Sequence, residues 1–216
     1  MENNANNGHE AYDDQVIFVD THLIQKAVEG LQRSREEFQS LLEQAEGGDP
    51  AAYYDLGVRY AEGDGAERDP ARAAHWFSLA AEDGDLRAVD LLGRCYQAGS
   101  GVEKDEARAV ELFQQAAEQG YAPGQCDLGL CYENATGVEK DEARAAECYL
   151  QAAEQGYAPG QTNLAVLTLH GVGVEEDPRA AVEWLQKAAD QDFPRALDLL
   201  GDCWMEGRGV DCVDTW

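Results

Sequence analysis

The chain has 216 residues, 43 of them acidic and 16 basic, for a formal net charge of -27, and 44% are hydrophobic. Its length admits one domain or two small ones, and the apolar fraction suffices for a core. The charge argues against docking on nucleic-acid phosphates or on a membrane surface, both of which need clustered Lys and Arg, and no apolar run reaches the roughly 18 to 20 residues of a membrane span.

In chain order, residues 1–15 are polar and acidic and read as a disordered tail. The start M-E-N-N-A-N-N-G-H-E has no basic region leading into a hydrophobic one, so a secretory signal is not expected and the location implied is the cytoplasm. Residues 16–48 read as a capping helix from about Thr21 to Glu46, a degenerate unit in which Leu41, Leu42 and Ala45 keep helical spacing.

From Asp49 the chain repeats. The phrase A-A-E-Q-G-Y-A-P-G-Q stands at Ala116 to Gln125 and again at Ala152 to Gln161, an offset of 36 residues. That offset aligns Leu56, Leu92, Leu128, Leu164 and Leu200, each followed by Gly57, Gly93, Gly129, Ala165 or Gly201. Further columns are Tyr60, Tyr96, Tyr132, Thr168 and Trp204, then Gly65, Gly101, Gly137, Gly173 and Gly209, then Trp76, Leu112, Cys148 and Trp184. Four units cover 49–84, 85–120, 121–156 and 157–192, and 193–216 begin a fifth.

Each unit reads as two helices. Leu56 and Tyr60 lie at i and i+4 on a first helix, and Trp76 and Ala80 do the same on a second. Asp-Pro pairs at 49–50, 69–70 and 177–178 supply an N-cap and a proline at the first helical position. Glycines 63 and 65, 99 and 101, 171 and 173, 207 and 209 end the first helices. One such pair cannot bury its apolar face alone, so the fold expected is all-α, a right-handed solenoid of stacked helix pairs.

The pattern A-x-x-x-L-G-x-x-Y-x-x-G-x-G-V-x-x-D-x-x-x-A-x-x-W/F-x-x-x-A-A-x-x-G resembles the Sel-one-like repeat, a relative of the tetratricopeptide repeat. The resemblance implies a non-catalytic scaffold that holds a peptide or protein partner on the concave surface made by the first helices. A cysteine-rich secreted branch of that family is linked to penicillin binding and β-lactam hydrolysis, which makes a cell-wall or β-lactam enzyme the alternative. That branch places cysteines at positions matching Ala117 and Gln125, and neither is cysteine here, so its disulfide framework is absent.

Catalytic and metal motifs are missing. The serines, Ser34, Ser40, Ser78 and Ser100, stand in no S-x-x-K or G-x-S-x-G. The histidines, His9, His22, His75 and His170, form no H-E-x-x-H. Six cysteines contain no C-x-x-C, and Cys95, Cys131 and Cys203 share a repeat column, so they read as small core residues. The expectation is no catalytic site, no cofactor and no metal.

Carried over by column, the groove residues expected are Tyr54, Asp90, Arg94, Leu130, Glu133, Val166, Leu169, His170, Asp202 and Met205. Apolar Leu130, Val166, Leu169 and Met205 are expected to face solvent inside a rim of Asp90, Glu133, Asp198 and Asp202, a surface suited to a basic amphipathic peptide. At the far end, D-C-V-D-T-W replaces a second helix. Leu199, Leu200, Trp204 and Trp216 are therefore expected to leave an uncapped apolar end that self-associates or meets further sequence.

Overall fold

The computed structural model describes residues 21–210; the expected tail at 1–15 and the final 211–216, with Trp216, lie outside the described residues. Among the described residues every regular element is helical. Helix α1 runs Thr21–Glu46, and a single 3-10 turn, Pro50–Ala52, leads into α2 (Tyr53–Glu62). Then follow α3 (Pro70–Glu82), α4 (Leu86–Ala98), α5 (Glu106–Glu118), α6 (Ala122–Asn134), α7 (Glu142–Glu154), α8 (Ala158–His170), α9 (Pro178–Ala189) and α10 (Pro194–Glu206). Each helix packs on its neighbours in sequence, and α6 with α8, and α8 with α10, also touch, which gives a solenoid of helix pairs.

The aspartates before the second helices are true caps. Asp69 accepts from the amides of Ala71 and Arg72, and Asp177 from those of Arg179 and Ala180, satisfying donors that the first turn leaves open. Asp49 caps too, accepting from Ala51, but it opens the 3-10 turn rather than an α-helix. The first helices α2, α4, α8 and α10 end on a left-handed glycine, whereas α6 ends on Ala135 at φ 56°.

Within a unit, the residue after the column leucine sets how closely the two helices approach. A Cβ at Gly57 would meet the Phe77 ring at 2.5 Å, one at Gly93 the Phe113 ring at 2.6 Å, and one at Gly129 the Tyr149 ring at 2.6 Å. In the fourth unit Ala165 takes the glycine's place, and the residue in the aromatic column is the smaller Leu185; both are buried in one cluster. The pair keeps a roughly constant volume, as close packing requires.

Between units, the turn after each first helix lies on the start of the preceding second helix. A Cβ on Gly101 would come within 1.9 Å of the Pro70 carbonyl oxygen, and Gly137, Gly173 and Gly209 meet Glu106, Glu142 and Pro178 in the same way. Gly65 meets the carbonyl of Ser34 on α1. The second half of α1 therefore fills the position of a second helix for the first unit, and its first half, 21–33, projects beyond that register. Arg59 ties the joint, with Nη2 on Glu37 Oε2 at 3.0 Å and Nη1 on Asp64 Oδ2 at 3.0 Å, while Phe38 meets Tyr60 edge to face.

At the other end the expected apolar patch is only partly formed. Leu200 is buried and Leu199 half-buried, because α10 packs them against α9, while Leu197, Trp204 and Met205 stay exposed.

Candidate partner-binding face

The first helices α2, α4, α6, α8 and α10 carry one side chain per column to a common face. At the N-terminal side, half-buried Tyr54 lies under the Arg87 guanidinium, 3.9 Å from ring centroid to carbon. Tyr54, Val58 and Ala61 of α2, with Leu91, Arg94 and Cys95 of α4 and Phe77 beneath, line a cavity of about 410 Å³. Farther along, Leu130 is 36% exposed and Val166 half-buried, one unit apart on α6 and α8. His170, Asp198 and Asp202 are exposed, and Met205 is 80% exposed on α10.

Three expected groove residues turn elsewhere. Glu133 is half-buried and accepts a 2.6 Å hydrogen bond from the hydroxyl of Tyr149 on α7. Leu169, expected to face solvent, is buried in the cluster that holds Leu200 and Cys203. Leu169 thus faces the next unit, as Gln97 of the same column does by reaching Cys131 at 3.8 Å, whereas Glu133 is held by the second helix of its own unit. Asp90 is likewise buried rather than part of an open rim.

The column just before the leucine proves to join neighbouring units. Arg94 on α4 bridges Asp90 Oδ2 at 3.0 Å, within its own helix, and Asp127 Oδ2 at 2.6 Å, on the next first helix. One unit on, Asn163 donates to Cys126 Sγ at 3.5 Å and accepts from Arg195 at 2.9 Å. Sequence reasoning overlooked Asp127 and Asn163. The available signal was a column that alternates Asp55, Leu91, Asp127, Asn163 and Leu199, a mixture typical of a position shared between solvent and a neighbouring unit.

Residues 50–85, 87–121, 122–157 and 158–193 each match the Sel1 repeat family model. The chain belongs to the Sel1 repeat family. No match was found among curated proteins. A Sel1 repeat protein from Oxalobacter formigenes is similar at 32% identity and a TM-score of 0.78, over 84% of this chain and 74% of that one. The protein c5321 of uropathogenic Escherichia coli, described as a protective antigen displaying an SLR fold, is 32% identical with a TM-score of 0.72, over 89% of this chain. This chain spans 45% of that antigen's length. Sel1 repeats generally mediate protein–protein interaction.

The joint between the second and third Sel1 units is electrostatically loaded. Burial first, and the charge of Asp127 second, push the Asp90 carboxyl up to about 7, although Arg94 opposes both. Burial also raises Asp127, again against Arg94. Asp90 Oδ1 is buried without a donor, and a proton shared with Asp127 would supply the missing hydrogen bond. Arg94 itself loses solvation, but the two carboxylates more than offset that and hold it charged.

The thiols of the Sel1 units are poorly suited to nucleophilic work. Burial pushes Cys126 and Cys131 up to about 12 and Cys148 up to about 11, so the thiolate is scarce at neutral pH. Among the described residues no group of three or more His, Cys, Asp or Glu could hold a metal ion, and no helix is long and apolar enough to cross a membrane.

Proposed function

We propose that this Sel1 repeat chain is a non-catalytic scaffold that binds a peptide or protein partner on its first-helix face, read as the concave side of the solenoid. The observation that carries the reading is the step from the Tyr54–Arg94 cavity to the Leu130–Val166 pair, apolar ground edged by exposed Asp198 and Asp202. Apolar side chains framed by unbalanced acids favour an amphipathic partner with basic flanks, steered by a chain of charge -27. The same charge disfavours nucleic acid and anionic membranes as partners.

A synthetic Lys/Leu amphipathic helix serves as probe. It should bind the full chain at low salt, lose affinity at physiological ionic strength, and fail on the variant carrying Leu130→Asp with Val166→Asp. Undiminished binding to that variant would sink the groove assignment. Turnover of nitrocefin by the purified chain would overturn the non-catalytic reading. A reducing, cytoplasmic setting belongs to the same proposal and is supported by free Cys95, Cys126, Cys131, Cys148 and Cys203. Recovery of the native protein outside the cytoplasm on cell fractionation would refute it.

A further inference from the structure

The first half of α1 carries an apolar stripe with no cover among the described residues. Ile24, Val28 and Leu31 are 47%, 41% and 72% exposed and lie at i, i+4 and i+7, the spacing of one helix face. Seven and fourteen residues beyond Leu31 on that face stand Phe38 and Ala45, each 4% exposed because the first unit packs on them. The stripe is thus the outward continuation of a packed surface. Within 21–33 two bases, Lys26 and Arg33, stand against one acid, Glu29, in a chain where acids outnumber bases 43 to 16.

We propose that this segment, residues 21–33, docks as an amphipathic helix on the first-helix face of a second copy of the chain. The inference rests on the reading of that face as a peptide groove and names its occupant. Three anchors at i, i+4 and i+7 are what a helix-binding groove reads. At 1.5 Å per residue the segment is about 20 Å long. Helix axes stack about 8 to 10 Å apart, so the segment reaches across two units, enough to cover Leu130 and Val166. The basic side of the segment then approaches the exposed carboxylates of Asp198 and Asp202 beyond Val166, a match of opposite charge. The segment cannot reach its own groove, because Arg59 and the Phe38–Tyr60 contact fix the second half of α1 to the first unit. The contact is head to tail, so it builds open chains rather than a closed dimer.

Sedimentation of the full chain tests this. The weight-average mass should climb with concentration at low salt and fall towards the monomer as salt screens the charges. Ile24→Glu with Leu31→Glu should weaken association by about tenfold or more, as loss of central anchors does, with the helical signal and unfolding midpoint unchanged because both sites are exposed. Leu130→Asp with Val166→Asp should weaken association by a similar factor while the helical signal is retained. Mixing the two variants should restore a one-to-one complex, since each keeps the half the other lacks. A monomer at every concentration, persistence of association in either variant, or no complex on mixing overturns the proposal. If the Lys/Leu probe still binds such a monomer, the groove reading survives alone; if the probe also fails, both fall.

Discussion

Helices α4 and α10 begin with nearly the same words, A-V-D-L-L-G-R-C at 88–95 and A-L-D-L-L-G-D-C at 196–203, and their residues have different fates. Asp90 is buried at 3% and Asp198 is exposed; Val89 is sealed and Leu197 is 49% exposed. Gly93 holds the Phe113 ring where a Cβ would be, while around Gly201 there is nothing within 4 Å. Local sequence makes both segments helical. What stacks on each side decides which side chains are core, which is the nearest-neighbour logic of repeat proteins.

The sharpest way to break the comparison is to add one methyl group to each helix. Gly93→Ala forces a carbon into the Phe113 ring and should cost on the order of 3 kcal/mol in urea unfolding, as overpacking does. Gly201→Ala meets nothing and should be neutral or stabilise by up to about 1 kcal/mol through helix propensity. Phe113→Leu added to Gly93→Ala should recover part of the loss, because the fourth unit already uses Ala165 with Leu185. Equal costs at 93 and 201 would contradict the packing account.

The buried acid of α4 should make the stability of the fold depend on pH. The folded-state value of Asp90 is raised to about 7, above the unfolded value near 3.9, so the folded protein holds its proton more tightly. This contribution to stability is full below about pH 4 and is lost as pH rises to about 7. Asp90→Asn removes the slope, so the variant should gain on the wild type by roughly 1 to 3 kcal/mol between pH 4 and pH 8.

The smallest effect lies at the end of the third unit's first helix. Ala135 sits at φ 56° in a position where the other units have glycine, so Ala135→Gly should raise the thermal midpoint, by about 0.5 to 1 kcal/mol in stability. The reverse change, Gly99→Ala, should lower it by a similar amount. A midpoint that moves the same way in both variants would show that helix propensity, not the left-handed turn, governs the site.

The helix pairs were legible because a 36-residue period and the 3.6-residue turn act within each unit, where sequence order and spatial order coincide. The Asp-Pro caps and the paired positions around Leu56 and Trp76 needed nothing else. The face was less legible. Leu169 and Met205 share a column, yet one is buried and the other open, because the stacking of the next unit, not the position on the helix, fixes exposure. Asp127 and Asn163 escaped notice for the same reason. Their partners, Arg94 and Arg195, are 33 and 32 residues away, a separation that no helical period marks.

The seating of Gly101, Gly137, Gly173 and Gly209 on the preceding second helix has an evolutionary corollary. Every joint is the same lock and key, so recombination that removes one whole unit, such as 85–120, sets the turn of Gly137 onto Pro70 and closes the seam. A slip of a single residue turns each downstream helix by about 100° and ruins it. The gene can therefore lengthen or shorten its product only in whole units, and the span of the protein is inherited as a digit.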